Sequence, residues 1–122
     1  MTKNATPAKG GAMSASHALN LSFVTAKLPK GSGLDCWNAE PSGNYVADCA
    51  KGHALGREYL DFIGRHSTSG NALVLGWIVA SMIQKAAETG RCFGGLEVGF
   101  FKEVNGYVMA SARLIPLIDT AA

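Results

Sequence analysis

Acidic residues are absent from the first thirty-four positions of this chain, whereas Lys3, Lys9, Lys27 and Lys30 all fall there. From Asp35 onward seven basic residues stand against nine acidic ones, so the body is mildly acidic and the net charge is only +2. Four dispersed lysines argue against nucleic-acid binding, which draws its affinity from clustered cations that displace counterions from phosphates. Cysteine is scarce too. Cys36, Cys49 and Cys92 cannot all pair within one chain, and an odd number at wide spacing is not the framework of a small secreted domain. The expected location is a reducing compartment, the cytoplasm. Apolar runs are short: "ALVLGWIVASMI", residues 72–83, would extend ~18 Å as a helix, against the roughly 30 Å of a bilayer core. No membrane span is expected. Up to Leu19 every apolar run is interrupted by polar residues, glycine or proline, so no signal peptide is read either.

Catalytic signatures are also lacking. No G-x-S-x-G, H-E-x-x-H or Cys/His nucleophile pattern occurs, and "PKGSGLD" has neither the spacing nor the Lys-Ser/Thr end of a phosphate-binding loop. The reading leans away from an enzyme, without deciding the matter, and no cofactor is expected.

What is present suits one folded domain. The chain has 122 residues, 48% of them apolar and 16% charged, and a globule of this size buries about two thirds of the surface of its unfolded chain. Residues 1–18, "MTKNATPAKGGAMSASHA", are small and polar without periodicity, which predicts a flexible basic leader. A single helical domain, 19–122, follows, opening with an extended arm over 19–43. In that arm "LNLSFVTAKL" reads as a short strand, "PKGSG" breaks it, and Trp37 pins the following loop to the body.

Three helices are predicted, at about 44–65, 71–89 and 95–114. At about 100° per residue, Tyr45, Cys49, Gly52, Gly56, Tyr59, Leu60 and Ile63 form one stripe of the first, with Lys51, Arg57, Glu58, Asp61 and Arg65 opposite. Glycine costs a helix about 1 kcal/mol relative to alanine, so Gly52 and Gly56 on the buried stripe point to another helix approaching closely. The second is apolar on all sides over its first three turns and belongs in the centre, with Gly90 placed to stop it. In the third, Asn105-Gly106 is a strong hairpin signal, because a two-residue β-turn needs positive φ there. The flanks disagree. "FFKEV" breaks strand alternation, while Leu96, Phe100, Phe101, Val104, Tyr107 and Val108 gather in an arc of about 140° as a helix. The fold expected is therefore mainly α, with an α+β fold carrying a C-terminal hairpin at Asn105-Gly106 as the alternative.

Candidate sites are few. Cys49 and His53 sit four apart on one helix, a spacing that can share a metal, and Cys36, His66 or Cys92 could complete a zinc site if the loops fold back, although these are scattered and Cys49 reads first as a small buried hydrophobe. Arg65, His66, Ser67, Thr68 and Ser69 precede a helix N-terminus, where free N–H groups suit an anion; as an ordinary connection, Ser69 or Asn71 would cap the next helix. Asp48 falls in the apolar arc of the first helix, either as a carboxylate with raised pKa or as a first-turn residue complementing the helix dipole. Gly52, Gly56, Trp77, Phe100 and Phe101 are the candidate interface, since three helices with such apolar faces have more surface than they can cover and a homodimer would cover it. The function expected is that of a non-enzymatic helical protein working through protein contacts, with itself or a larger partner. A ligand- or anion-binding protein or enzyme using residues 65–71 is the second reading, and a weak nucleic-acid binder using the leader lysines the third.

Overall fold

The computed structural model describes residues 17–116. The expected leader, 1–18, lies outside them except for His17 and Ala18. The fold is mainly α. Two short strands, β1 (Thr25–Ala26) and β2 (Leu34–Asp35), precede α1 (Tyr45–Arg65), a 3₁₀ helix (Ser69–Leu73), α2 (Val74–Thr89) and α3 (Gly95–Ala112). The helix runs straight through Asn105-Gly106, and the hairpin alternative is not adopted. Gly106 has open space around it, so the residue that signalled a turn sits on the outer face of α3 at only the ordinary propensity cost of a glycine.

The described residues divide into two compact units, one of residues 17–40 with 61–92, the other of residues 41–60 with 93–116. In the first, β1 and β2 pair antiparallel with Thr25 opposite Asp35 and Ala26 opposite Leu34. "PKGSG" is the turn of this ribbon, and Gly31 and Gly33 take the positive φ it requires. Phe23 and Trp37 are buried and meet edge to face, ring centroids 5.4 Å apart, so Trp37 does anchor its loop. The ribbon is fastened to α2 by the Cys36 N–H, which donates to Ser81 Oγ at 3.0 Å, and by Lys85 Nζ with Asp35 Oδ2 at 3.1 Å. α2 departs from expectation. Only Val74, Ile78 and Met82, one stripe at i, i+4 and i+8, are buried, while Leu73 and Ile83 are 62% and 57% exposed. A helix apolar all round buries only the faces that find neighbours. Gly90 ends α2 in the left-handed conformation, its N–H returning to the Ala86 carbonyl.

In the second unit Asn44 opens α1: its Oδ1 accepts the Ala47 N–H at 2.9 Å. The glycine stripe then meets α3. A Cβ on Gly52 would lie 2.1 Å from the Leu96 carbonyl oxygen, and one on Gly99 would lie 2.1 Å from that of Cys49. Gly95 rests on Tyr45 and Cys49, and Gly56 on Phe100 and Glu103. Partners advance together along both helices, so α1 and α3 run parallel, in backbone contact through two matching G-x-x-x-G pairs, 52/56 and 95/99. Leu55, Tyr59, Leu96, Phe100 and Val104 are buried on this seam. Tyr45, assigned to the buried stripe by periodicity, is 60% exposed. Its side chain stands one turn before the crossing, where only its carbonyl faces Gly95.

Candidate functional site

The glycines expected at an interface are used inside the chain. Gly52 and Gly56 are buried against α3, and Phe100 is fully buried. The close helix approach that Gly52 and Gly56 called for is thus made by α3, and those residues are not available to a second copy. Phe101 is half-buried, with its ring 6.0 Å from Phe93 and 5.8 Å from Phe100. Trp77 is half-buried in the other unit, beside the ribbon. Gly95 and Gly99 were missed, although their spacing repeats that of Gly52 and Gly56 and was the signal that could have paired the two helices.

Asp48 is buried, but its pKa moves opposite to the catalytic reading. Ser42 donates its N–H to Oδ1 at 2.9 Å and its hydroxyl at 2.7 Å, and these bonds hold the carboxyl below the usual carboxylate range. Asp48 is a structural anion that fastens the approach to α1, and the raised-pKa reading is withdrawn. His53 is likewise engaged: Nδ1 lies 3.1 Å from Glu103 Oε1, and Arg57 Nη1 is 3.7 Å from the other carboxylate oxygen. The pair ties α1 to α3 alongside the glycine seam, where Gly56 also rests on Glu103. Among the described residues no group of three or more histidines, cysteines or carboxylates converges as a metal site, and Cys36, Cys49 and Cys92 are free thiols.

Residues 65–69 form the start of the connection between α1 and α2. Arg65, Ser67, Thr68 and Ser69 are exposed and His66 is half-buried, stacked on His17 at 4.9 Å. Neither Ser69 nor Asn71 caps α2, which begins as the continuation of the 3₁₀ helix with no side-chain cap. The Asn71 and Val74 N–H groups are taken by the carbonyls of Thr68 and Asn71. Asn71 is instead fully buried, its Nδ2 donating to the His66 carbonyl at 2.8 Å while Oδ1 has no partner among the described residues. The spare buried group is an acceptor, of the wrong polarity for an anion.

The uncommitted apolar surface of the second unit lies at the far end of α3. Its buried stripe, Leu96, Phe100 and Val104, continues at i+3 and i+4 into Tyr107 and Val108, which are 58% and 51% exposed. From Asn105 to Pro116 every residue is exposed, among them Met109, Leu114 and Ile115. The close approaches of α3 to α1 run as far as Glu103, and the turns of α3 beyond Val104 are exposed. A groove of about 430 Å³ opens beside it, lined by Phe101, Lys102, Asn105, Gly106 and Met109. No described helix is long and apolar enough to cross a membrane. Comparison with protein-family models, curated proteins and solved structures finds no match for this chain.

Proposed function

We propose that this is a non-enzymatic protein that works through protein contacts, and that its first contact is with a second copy of itself through the end of α3. One observation carries the reading: a single apolar stripe is buried at Leu96, Phe100 and Val104 and bare at Tyr107 and Val108. Helical turns without tertiary cover are marginal in water, so a helix that continues to Ala112 with its last turns exposed among the described residues gains from a partner's surface. A second copy suits the chemistry. Residues 104–116 carry one charge, Arg113, so nothing there selects a strongly charged partner, and antiparallel pairing of two such ends keeps the two arginines apart. The three free thiols fit a reducing compartment, and we place the protein in the cytoplasm.

Size-exclusion chromatography with light scattering over a concentration series is the test. The expected mass is twice 12.7 kDa, falling to the monomer on dilution. Val108→Asp and Met109→Asp, at positions more than half exposed, are expected to give the monomer with an unchanged circular dichroism spectrum. A monomer mass for the unaltered protein up to about 100 µM, where even a weak specific contact is populated, overturns the proposal.

A further inference from the structure

We propose that the cleft between the β-ribbon and α2 is a binding site for a small, flat, apolar anion of the aromatic carboxylate or sulfonate class, separate from the contact surface on α3. The cleft encloses about 430 Å³, within the range of small-molecule sites. One wall is helical: Trp77, Ala80, Ser81 and Gln84 stand at i, i+3, i+4 and i+7 on α2 and so share one face. The ribbon supplies the other wall through Lys27, Leu34 and Cys36. Both walls are tied together without any ligand, by the Cys36–Ser81 hydrogen bond and the Lys85–Asp35 ion pair, so binding does not have to assemble the site.

The lining decides the ligand class. Trp77, Leu34 and Ala80 present apolar surface, and an indole favours a flat partner that can stack on it. The single charge in the lining is the Lys27 ammonium, and among the described residues no carboxylate pairs with it. Asp35, the acid of the ribbon, is held by Lys85 and by the Trp37 N–H at 3.0 Å, and Glu88, one turn after Gln84, accepts a hydrogen bond from it. A lone cation beside apolar walls attracts an anion more strongly than the same cation in open water. Gln84 donates one Nε2–H to Glu88 at 3.2 Å, so its second N–H and its carbonyl remain to meet a polar edge of the ligand. Cys36 is a wall here and not a nucleophile, since burial pushes its thiol up and away from the reactive thiolate.

The test uses the full chain, with 1-anilinonaphthalene-8-sulfonate as the anionic probe and N-phenyl-1-naphthylamine as its neutral counterpart. In ¹⁵N-correlated spectra the sulfonate is expected to shift the Trp77 indole signal and the amides of residues 27, 34–36 and 77–84. Lys27→Met is expected to weaken the sulfonate by about tenfold and the neutral probe by less than about twofold. Ala80→Trp, at an exposed helix position that leaves the core intact, is expected to exclude both. Shifts confined to residues 105–116, a sulfonate affinity indifferent to Lys27→Met, or two probes that still bind to Ala80→Trp would each overturn the proposal.

Discussion

Replacing one glycine by alanine should change sign along a single helix of this protein. At Gly99 the new Cβ would stand 2.1 Å from the carbonyl oxygen of Cys49, and at Gly52 it would stand the same distance from that of Leu96. Carbon and oxygen approach no closer than about 3.3 Å, so α1 and α3 must separate by roughly 1.2 Å. The obstacle is backbone, and no rotamer change relieves it. A radial gap of that size removes about half the dispersion energy of the seam around Leu96 and Phe100, and overpacked sites generally lose about 1–3 kcal/mol. Alanine's better helix propensity returns about 0.5–1 kcal/mol, leaving a net loss of about 1–2 kcal/mol. Gly106 on the same helix meets nothing within 4 Å, so Gly106→Ala retains the propensity gain alone and stabilises by about 0.5–1 kcal/mol. The two substitutions should therefore differ by about 2 kcal/mol, or roughly 6–10 °C in melting temperature for a chain of this length. Circular dichroism melts and urea titrations measure the difference. Tryptophan emission is the wrong readout, since Trp37 and Trp77 both belong to the other unit. If Gly99→Ala and Gly52→Ala melt with or above Gly106→Ala, the backbone contact between α1 and α3 does not exist.

Two further outcomes follow from the electrostatics. Ser42 lowers the Asp48 pKa in the folded state, so the carboxylate contributes stability above the ordinary aspartate range and loses it as pH falls towards the lowered value; the stability gap between the protein and Asp48→Asn, followed by urea titration, should be open at neutral pH and closed in acid. Thiol alkylation read by mass spectrometry should modify exposed Cys92 first, half-buried Cys49 next, and Cys36 only as the chain unfolds, because Cys36 is 2% exposed and its thiol is pushed up by burial.

The existence of three helices was legible because each is a local pattern. Apolar residues at helical spacing, Asn44 and Glu97 at the starts, and Gly90 at the end of α2 act within a turn or two of themselves. Even Asn105-Gly106 was decided locally, since the flanking residues formed a helical stripe and not an alternating strand. Glu97 acts on its own first turn, where its Oε1 accepts the Gly94 N–H at 2.8 Å.

Adjacency is another matter. Periodicity states that a face is apolar and cannot state whether a neighbour arrives to cover it, so Val74 and Ile78 were buried while Ile83 on the same apolar helix, and Leu73 just before it, were left bare. Gly52 and Gly56 announced a close approach, but only the chain's long-range path selected Gly95 and Gly99 as the opposing surface. The cleft joins Lys27 and Cys36 to Ser81 and Gln84 across some fifty residues, and no local pattern relates them. Hydrogen-bond and periodicity rules act over a few residues and are written in the sequence; which surfaces meet, and which remain for a partner, depends on the whole chain closing on itself.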